Sequence, residues 1–397
     1  MKVLQVGKYY PPVEGGIESH VEAVSEGLAA RYEVTVLVFN TSSRTEEEIR
    51  NGVRVIRVAT MGRVLSTEIA PLFFSWFRKL GRADLIHLHT PNPVAELACL
   101  AAPSGTRLLI TYHSDVVRQR LLGRLNRIVL QRLMRRADRV IAFTQRYMES
   151  SPVLSHHAAK CAIIPHGIDA AEYSRGPVIE GRVRRLREEH GPRIVLFVGR
   201  LVYYKGVDVL IRAMAGVPEA KLLVVGDGPL RGRLAALSRD LGLSGRVVFL
   251  GRVSHEEKVA CYHASDLLVL PATHRSEAFG VVQVEALACG LPVVSTNIDS
   301  GVPFVNQHGV TGLVVQPGDA AGLAAAIARL LAEPRLREEM AGAGRRRALE
   351  LFSRDVMLRD LLSLYSEILG PSGGGAPAPC GPLSAPKASV PGGSFGQ

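Results

Sequence analysis

The chain has 397 residues, a hydrophobic fraction of 47% and a charged fraction of 21%, which exclude a disordered protein and allow two domains of ordinary size. Its net charge of +11 suggests anionic partners, which include phosphates, nucleic acid and lipid surfaces. The sequence has no apolar run long enough to span a membrane, no signal-peptide pattern and no CxxC pair among its five cysteines. We therefore expect a cytoplasmic protein with free thiols and neither a zinc site nor a disulfide framework.

Short β-branched runs alternate with longer amphipathic stretches along the whole chain, a pattern typical of parallel sheets covered by helices on both faces. The strands predicted in the first half are Val3–Val6, Val34–Phe39, Val53–Val58, Leu85–Leu88, Leu108–Thr111 and Val140–Phe143. Those predicted in the second half are Ile194–Val198, Leu222–Val225, Val247–Leu250, Leu267–Leu270, Val293–Ser295 and Leu313–Val315. Two such series predict an α/β protein with two doubly wound, Rossmann-like domains.

We place the domain boundary at residue 170, because the charged stretch from Gly167 to Pro192 precedes the second series of strands. Residues 1–170 and 171–352 are the predicted domains, and residues 353–369 form a last amphipathic helix. Residues 370–397 are rich in Gly and Pro, cannot bury a core and are expected to be disordered.

Ligands of open α/β sheets bind beyond the carboxyl ends of the strands, and two polar or Gly-rich segments of the first half follow predicted strands. Gly15 and Gly16 precede a helical stretch, where their backbone N–H groups either approach an anion or only make a turn. The loop lacks the GxGxxG fingerprint of dinucleotide binding. His113 follows another strand and either contacts a sugar or an acceptor, or is structural.

The second half has similar segments after its strands. Arg200 and Lys205 follow Ile194–Val198, where they either stabilise a leaving diphosphate or lie in a solvated loop. Gly226 and Val253 lie in the turns after the next two strands, which either accommodate a flat base or are ordinary turns.

The segment EAFGVVQVE places Glu277 before a predicted helix and Glu285 within it. Eight residues separate the two carboxylates by about 12 Å along the helix axis, and the helix N-terminus between them can bind phosphate. One carboxylate can then bind sugar hydroxyls and the other ribose hydroxyls. The spacing is longer than in glycosidases, which counts against hydrolysis.

This segment resembles the E-x7-E motif of retaining GT-B glycosyltransferases, specifically glycosyltransferase family 4. The Gly-Gly loop, YHSD, HGID, VGRLVYYKG, VGDGP and GLPVV agree with that family in order and spacing over roughly residues 1–369. The resemblance implies two Rossmann-like domains facing across a cleft, with the last helix crossing back to the first domain. The first domain would bind the acceptor and the second a nucleotide sugar, without a metal ion or other cofactor at the reaction centre.

The implied activity is retaining transfer of a hexose to a glycan or lipid-linked acceptor, in cell-surface polysaccharide or glycolipid synthesis. The resemblance also implies residue roles. The diphosphate would be bound by Gly15, Gly16, Arg200, Lys205, Phe279 and Gly280, and the ribose or base by Glu285, Gly226 and Val253. The sugar would be bound by Glu277, Ala278 and Phe279, and the catalytic residues would be His113 and Glu277. The SGVPFVN stretch, residues 300–306, is similar to members that use GDP-mannose-type donors, with UDP sugars as the next choice. His274 and Arg275 depart from the family pattern and add bulk and charge near the sugar pocket.

Three alternatives stay open on the sequence. A non-catalytic GT-B binding protein and a sugar-nucleotide epimerase share the architecture.

The stretch from Val116 to Arg139 has eight arginines and a single acid, Asp138, among apolar residues at helical spacing. It either docks on an anionic membrane, at the inner face of the cell membrane, or packs on the first domain. We expect no nucleic-acid partner, because aromatic platforms and recognised modules are missing.

Overall fold

The computed structural model describes residues 1–64, 67–115 and 122–370, with the side chains of residues 122–127 left out. The predicted disordered tail lies outside the described residues apart from Gly370. In the described part of the first half there are ten strands and five α-helices. The strands are β1 (Lys2–Val6), β2 (Glu33–Phe39), β3 (Glu46–Arg50), β4 (Val53–Val58), β5 (Arg63–Val64), β6 (Thr67–Glu68), β7 (Leu85–Thr90), β8 (Arg107–Tyr112), β9 (Arg139–Ala142) and β10 (Cys161–Ile163). The helices are α1 (Gly16–Ala29), α2 (Leu72–Leu80), α3 (Pro93–Leu100), α4 (Leu122–Arg136) and α5 (Gln145–Ser150).

The second half contributes a shorter series of strands and a longer series of helices. The strands are β11 (Ile194–Val198), β12 (Lys221–Val225), β13 (Val247–Gly251), β14 (Leu267–Leu270), β15 (Val293–Thr296) and β16 (Gly312–Val315). The helices are α6 (Pro177–His190), α7 (Val207–Ala213), α8 (Arg231–Asp240), α9 (His255–Ala264), α10 (Val281–Ala288), α11 (Val302–Val305), α12 (Ala320–Ala332), α13 (Pro334–Phe352) and α14 (Arg354–Leu369).

Two separate sheets form the centres of two Rossmann-like domains. The first has the strand order β10-β9-β8-β7-β1-β2-β4-β3, and the second has the order β13-β12-β11-β14-β15-β16. Neighbouring strands are parallel except for β3, which pairs antiparallel with β4 at the edge. The central strands are buried on both faces, which explains why they read as continuous apolar runs. The predicted doubly wound α/β fold is confirmed.

Helix α14 crosses back to the first domain, as the sequence predicted. The Ser353 hydroxyl accepts a hydrogen bond from the Val356 backbone N–H at 3.3 Å and so caps the helix. Further along, Leu361, Leu364 and Ile368 are buried against α1 and the strands of the first sheet. The spacing of three and four residues places these side chains on one face of the helix. The last helix is therefore part of the core of the first domain.

The described part of the basic stretch is used mainly for packing. Leu133 and Met134 of α4 are fully buried in the core of the first domain. The Arg136 guanidinium donates to the carbonyl oxygens of Cys99 at 2.7 Å and Pro103 at 2.8 Å, and Arg139 forms an ion pair with Glu367. Residues 116–121 of this stretch lie outside the described residues. No helix in the described ranges is long and apolar enough to cross a bilayer.

The cysteines that the structure describes are free thiols, as the sequence predicted; they are Cys99, Cys161, Cys261 and Cys289. Burial raises the pKa of the Cys161 thiol to about 11 and that of Cys261 to about 12. These two thiols are therefore protonated at neutral pH and unsuited to act as nucleophiles.

Candidate active site

The strand order of each sheet reverses at one point, and the segments expected to bind ligands follow the strands at these points. In the first sheet the reversal lies between β1 and β7, and in the second it lies between β11 and β14. The two edges meet: the ring centroid of Phe279 in the second domain lies 5.7 Å from that of Phe143 and 6.2 Å from that of His166 in the first domain. Loops from both domains thus enclose one site, where α/β proteins bind their ligands.

Lys205 and Glu277, two predicted site residues far apart in sequence, form an ion pair. The Lys205 Nζ lies 2.5 Å from Glu277 Oε2, and both residues are only 8% exposed. Lys205 follows β11 and Glu277 follows β14, so the pairing of these two strands brings the charges together. A buried carboxylate and ammonium need a charged partner, and each supplies it to the other.

Close packing of two glycines fixes the loop that carries Lys205. Gly206 has a φ of 65°, and a Cβ there would lie 2.0 Å from the Pro271 carbonyl oxygen. Gly226 has a φ of 118°, and a Cβ there would lie 2.2 Å from the Gly199 carbonyl oxygen. Gly226 thus has a structural reason to be glycine, while its predicted place at the ribose or base stays a prediction.

Arg200 and Val253, two other predicted residues, lie at the border of this region. Arg200 is exposed on the loop after β11, and Val253 is half-buried against the apolar cluster that includes Val284 of α10. Burial and the neighbouring Glu277 carboxylate together raise the pKa of Tyr204 to about 12, against the opposing charge of Arg200.

Helix α10 begins after Gly280 and carries the end of the predicted motif. Gly290 has a φ of 70° after the helix, and the Leu291 N–H donates to the Ala286 carbonyl oxygen at 2.8 Å, so Gly290 terminates the helix. In the loop before the helix, Phe279 is buried, and the Ala278 carbonyl oxygen accepts from the Gly301 N–H at 2.7 Å. The SGVPFVN stretch therefore supports the loop that holds Glu277.

Glu285 is held by two residues of α9 that the sequence analysis did not single out. The Tyr262 hydroxyl donates to Glu285 Oε2 at 2.6 Å, and the Lys258 Nζ lies 3.1 Å from the same oxygen. Burial alone would raise the pKa of the Glu285 carboxyl, but the Lys258 charge and the Tyr262 hydrogen bond bring it below its ordinary value. Glu285 is therefore ionised at neutral pH and can accept hydrogen bonds from a diol.

His113 lies at the end of β8 in a buried group of histidines. Its Nε2 is 3.1 Å from His89 Nδ1, and its ring centroid is 5.1 Å from that of His20. Burial lowers the pKa of all three rings well below 6.5, so they are neutral. One ring nitrogen from each lies within 4.8 Å of the others, close enough to hold a metal ion. A metal-free reaction centre stays a prediction.

The Gly15-Gly16 loop opens α1, as the sequence predicted. Nothing lies within 4 Å of the position that a Cβ on Gly16 would take, so the backbone there is accessible. The Glu18 carboxylate lies beside Gly15, 2.1 Å from the position of an added Cβ, and burial raises its pKa. An anion at this helix N-terminus would have to displace that carboxylate.

Two family models cover most of the chain. The Glycosyltransferase Family 4 model matches residues 14–172, and the model described as Glycosyl transferases group 1 matches residues 180–347. A D-rhamnosyltransferase of Pseudomonas aeruginosa is 35% identical over 356 residues, which cover 89% of this chain and 92% of the relative. The chain belongs to glycosyltransferase family 4.

Other comparisons agree on the activity and on the architecture of this glycosyltransferase. A GDP-mannose-dependent alpha-(1-6)-phosphatidylinositol monomannoside mannosyltransferase of Mycolicibacterium smegmatis is 32% identical and covers 91% of this chain and 98% of the relative. The structure of a sucrose-phosphate synthase from Thermosynechococcus elongatus superimposes with a TM-score of 0.77 at 25% identity, over 92% of this chain and 98% of that one. The protein is a GT-B glycosyltransferase that uses a nucleotide-sugar donor.

An ion pair between Asp115 and Arg275 joins the two domains of the glycosyltransferase. The Arg275 guanidinium lies 2.9 Å from Asp115 Oδ2, and it stacks on Tyr147 with 5.6 Å to the ring centroid. The Tyr112 and Ser151 hydroxyls donate to the same carboxylate at 2.8 Å and 3.0 Å. The sequence predicts that Arg275 lies near the sugar pocket but indicates no partner for it. Because Arg275 is two residues before Glu277, the pair ties the loop that carries Glu277 to the first domain.

Replacing Arg275 with glutamine is expected to lower the free energy of unfolding of the glycosyltransferase by about 1.5–3 kcal/mol, because a partly buried, charge-assisted hydrogen bond is lost. Urea unfolding measures this change. Arg146→Gln is the matched control, because Arg146 pairs across the same domain boundary with Asp299, whose side chain is 74% exposed, and the expected change is about 0–1 kcal/mol. Equal effects of the two substitutions would contradict a special role for Arg275.

Proposed function

We propose that this enzyme transfers a mannose-type hexose from a GDP-linked donor, with retention of configuration, to a glycan or lipid-linked acceptor. The observation that carries the proposal is the arrangement around α10. Lys205 pairs with Glu277 before the helix, and Glu285 lies within it, held by Lys258 and Tyr262. A cation thus adjoins the N-terminal end of the helix, and an ionised carboxylate lies further along it.

The leaving diphosphate is expected to bind between Lys205, Arg200 and the first N–H groups of α10. Negative charge on the diphosphate grows as the glycosidic bond breaks, and fixed positive groups stabilise it most at that stage. The N–H groups after Gly15 and Gly16 add donors from the first domain. Glu285, two helical turns further on, accepts hydrogen bonds from the ribose hydroxyls.

The sugar is expected to lie between Glu277 and His113, both of which are buried at the ends of strands facing the site. The ammonium of Lys205, 2.5 Å away, reduces the nucleophilicity of the Glu277 carboxylate, so we assign it to binding sugar hydroxyls instead of attacking the anomeric carbon. Departure of the diphosphate and attack of the acceptor on the same face of the sugar then retain the configuration.

The names of two relatives support the donor class. One is a D-rhamnosyltransferase and the other is a GDP-mannose-dependent mannosyltransferase, and each covers about nine-tenths of this chain. We carry the guanine nucleotide and the mannose-type sugar over to this enzyme.

Calorimetric titration with GDP and UDP, with and without Mg²⁺, tests the donor site. We expect micromolar binding of GDP without a metal requirement, and release of GDP from GDP-mannose when an acceptor is supplied. Proton NMR of the anomeric position of the product tests retention. Preference for UDP would overturn the donor assignment alone, whereas nucleotide binding without transfer to any acceptor would overturn the proposed reaction.

We also propose that the acceptor is met at an anionic membrane, through the stretch from Val116 to Arg139. In its described part, Arg132 and Arg135 are exposed, and Ile128 is 51% exposed. Co-sedimentation with vesicles is expected to retain the enzyme on anionic lipid and to release it from zwitterionic lipid or at high salt. Equal binding to both kinds of vesicle, or to neither, would overturn the electrostatic contact.

A further inference from the structure

A buried chain of side-chain hydrogen bonds runs from the site to the crossing helix. His113 Nε2 is 3.1 Å from His89 Nδ1, and His89 Nε2 is 3.0 Å from Gln5 Oε1. Gln5 Nε2 donates to the Tyr365 hydroxyl at 2.9 Å. The chain thus links the strand-end histidine to α14, which belongs to the far end of the sequence.

The chain continues from α14 back into the first sheet. The Tyr365 hydroxyl is 2.8 Å from His87 Nδ1, and His87 Nε2 is 2.7 Å from Thr111 Oγ1. All six side chains are almost fully buried, so water does not compete for these hydrogen bonds.

We propose that Tyr365 and Gln5 are positioning residues that fix the tautomer of His113, with the proton on Nε2 and a lone pair on Nδ1. The tautomer of His113 follows from the hydrogen bonds alone. That this tautomer serves sugar binding rests on the proposed function.

The direction of the chain follows from which atoms can donate. His87, His89 and His113 are neutral because burial keeps their pKa values far below 6.5, so each ring has one N–H and one lone pair. Gln5 Oε1 only accepts, so the proton of His89 is on Nε2. His89 Nδ1 therefore accepts, and the proton of His113 must be on Nε2.

The other half of the chain agrees with this direction. Since the Gln5 amide donates to the Tyr365 oxygen, the Tyr365 hydroxyl is free to donate its proton to His87 Nδ1. The proton of His87 is then on Nε2, which donates to Thr111 Oγ1. Each of the five hydrogen bonds then has one donor and one acceptor, and all of them point the same way.

One other arrangement also gives each of these hydrogen bonds a donor and an acceptor, and it reverses every one of them. Rotating the Gln5 amide by 180° makes it donate to His89, which then donates from Nδ1 to His113 and leaves the His113 proton on Nδ1. In that arrangement Thr111 must donate to His87. The two ends of the chain are therefore coupled, and a change at Thr111 is transmitted to His113.

The lone pair on His113 Nδ1 would accept a hydrogen bond from a hydroxyl of the transferred sugar. In the reversed arrangement, His113 would present an N–H at the same position. Because Tyr365 lies on α14, the tautomer is set only when this helix is packed on the first domain.

The test is long-range ¹H–¹⁵N NMR of histidine-labelled enzyme without donor, with the His113 signals assigned by their loss in His113→Gln. In the unmodified protein we expect His113 to be protonated on Nε2 and unprotonated on Nδ1. In Thr111→Val, which has nearly the same shape, the His87 Nε2–H would lose its acceptor. Reversal of the chain removes that unsatisfied donor, so we expect the His113 proton on Nδ1 in this variant.

Breaking the chain in the middle provides a second measurement. In Tyr365→Phe the two halves are uncoupled, so we expect His113 in both tautomers, and the same populations after Thr111→Val is added. Tyr32→Phe is the matched control, because the Tyr32 ring centroid lies 5.6 Å from that of Tyr365 in the same apolar cluster. This substitution should leave the tautomer of His113 unchanged. The inference would be overturned by a His113 proton on Nδ1 in the unmodified protein. It would also be overturned if the folded Thr111→Val variant kept the His113 proton on Nε2.

If neither variant folds, the position of the His113 proton in the unmodified protein decides, and a proton on Nδ1 would overturn the inference. The role in sugar binding has its own readout. Thr111→Val is expected to lower kcat about fivefold to tenfold, with GDP affinity unchanged, as for one lost hydrogen bond. Unchanged transfer by a variant whose tautomer has reversed would overturn that role. A failure of the unmodified enzyme to bind GDP would concern the proposed function and not the chain.

Discussion

Replacing Lys205 with methionine is expected to slow sugar transfer about 100- to 1,000-fold, the usual effect of removing one group that stabilises transition-state charge. Methionine keeps most of the length of the side chain but cannot offset the charge of the leaving diphosphate. The variant also leaves the Glu277 carboxylate buried without its cation, 2.5 Å from where Nζ was. Steady-state release of nucleoside diphosphate measures the rate, and urea unfolding measures the stability.

The double variant Lys205→Met/Glu277→Gln separates these two effects. Loss of one partner of a buried ion pair costs about 3–5 kcal/mol, whereas replacing both charges is nearly neutral. The double variant should therefore regain stability but not activity. If activity returned together with stability, Lys205 would act only by neutralising Glu277, and its predicted contact with the diphosphate would be wrong.

Replacing Glu285 with glutamine is expected to weaken nucleotide binding about 10- to 100-fold. Hydrogen bonds to a charged group contribute about 1.5–3 kcal/mol, and the amide offers one acceptor oxygen where the carboxylate offers two. Lys258 and Tyr262 also lose their ionised partner, so the side chain is held less firmly. Calorimetric titration with the nucleotide measures the dissociation constant.

Glu256→Gln is the matched control for Glu285→Gln, because Glu256 lies on the same helix as Lys258 but is exposed, and its substitution should leave binding unchanged.

The pKa of Glu285 is lower in the folded protein than its ordinary value. Nucleotide binding through this carboxylate should therefore persist at neutral pH and fall only as the pH drops below about 4.5. Loss of binding at a higher pH would show that another group controls it.

The strands of both sheets could be predicted largely because the central strands are buried on both faces. All twelve predicted strands overlap observed ones, and Val53–Val58, Ile194–Val198 and Leu267–Leu270 have the predicted bounds. The prediction missed β3, whose sequence EEEIR is mostly exposed at the sheet edge, and β10, which has only three residues. It also missed β5 and β6, which have two residues each. Edge strands lack the apolar run on which the prediction depended.

The site was predicted where one segment carries its own chemistry, and missed where distant residues combine. Glu277 and Glu285 belong to one motif that can be read in the sequence. The Asp115–Arg275 pair joins residues 160 positions apart, so no local pattern indicates it. His87 and His89 look like interior residues of a strand in the sequence, and only the fold shows that both extend towards α14 and His113.

The return of α14 to the first domain means that the chain passes between the domains twice. The two passages are bonded side by side: the Ile168 N–H donates to the Phe352 carbonyl oxygen at 2.9 Å, and the Arg354 N–H donates to the Ile168 carbonyl oxygen at 2.8 Å. Arg354 also forms ion pairs with Asp169 and Glu172. Two bonded passages act as a single hinge, about which the domains can rotate but not separate. Opening the site to admit a donor would then swing the loops of Lys205 and Glu277 as one body, with the ion pair between them intact.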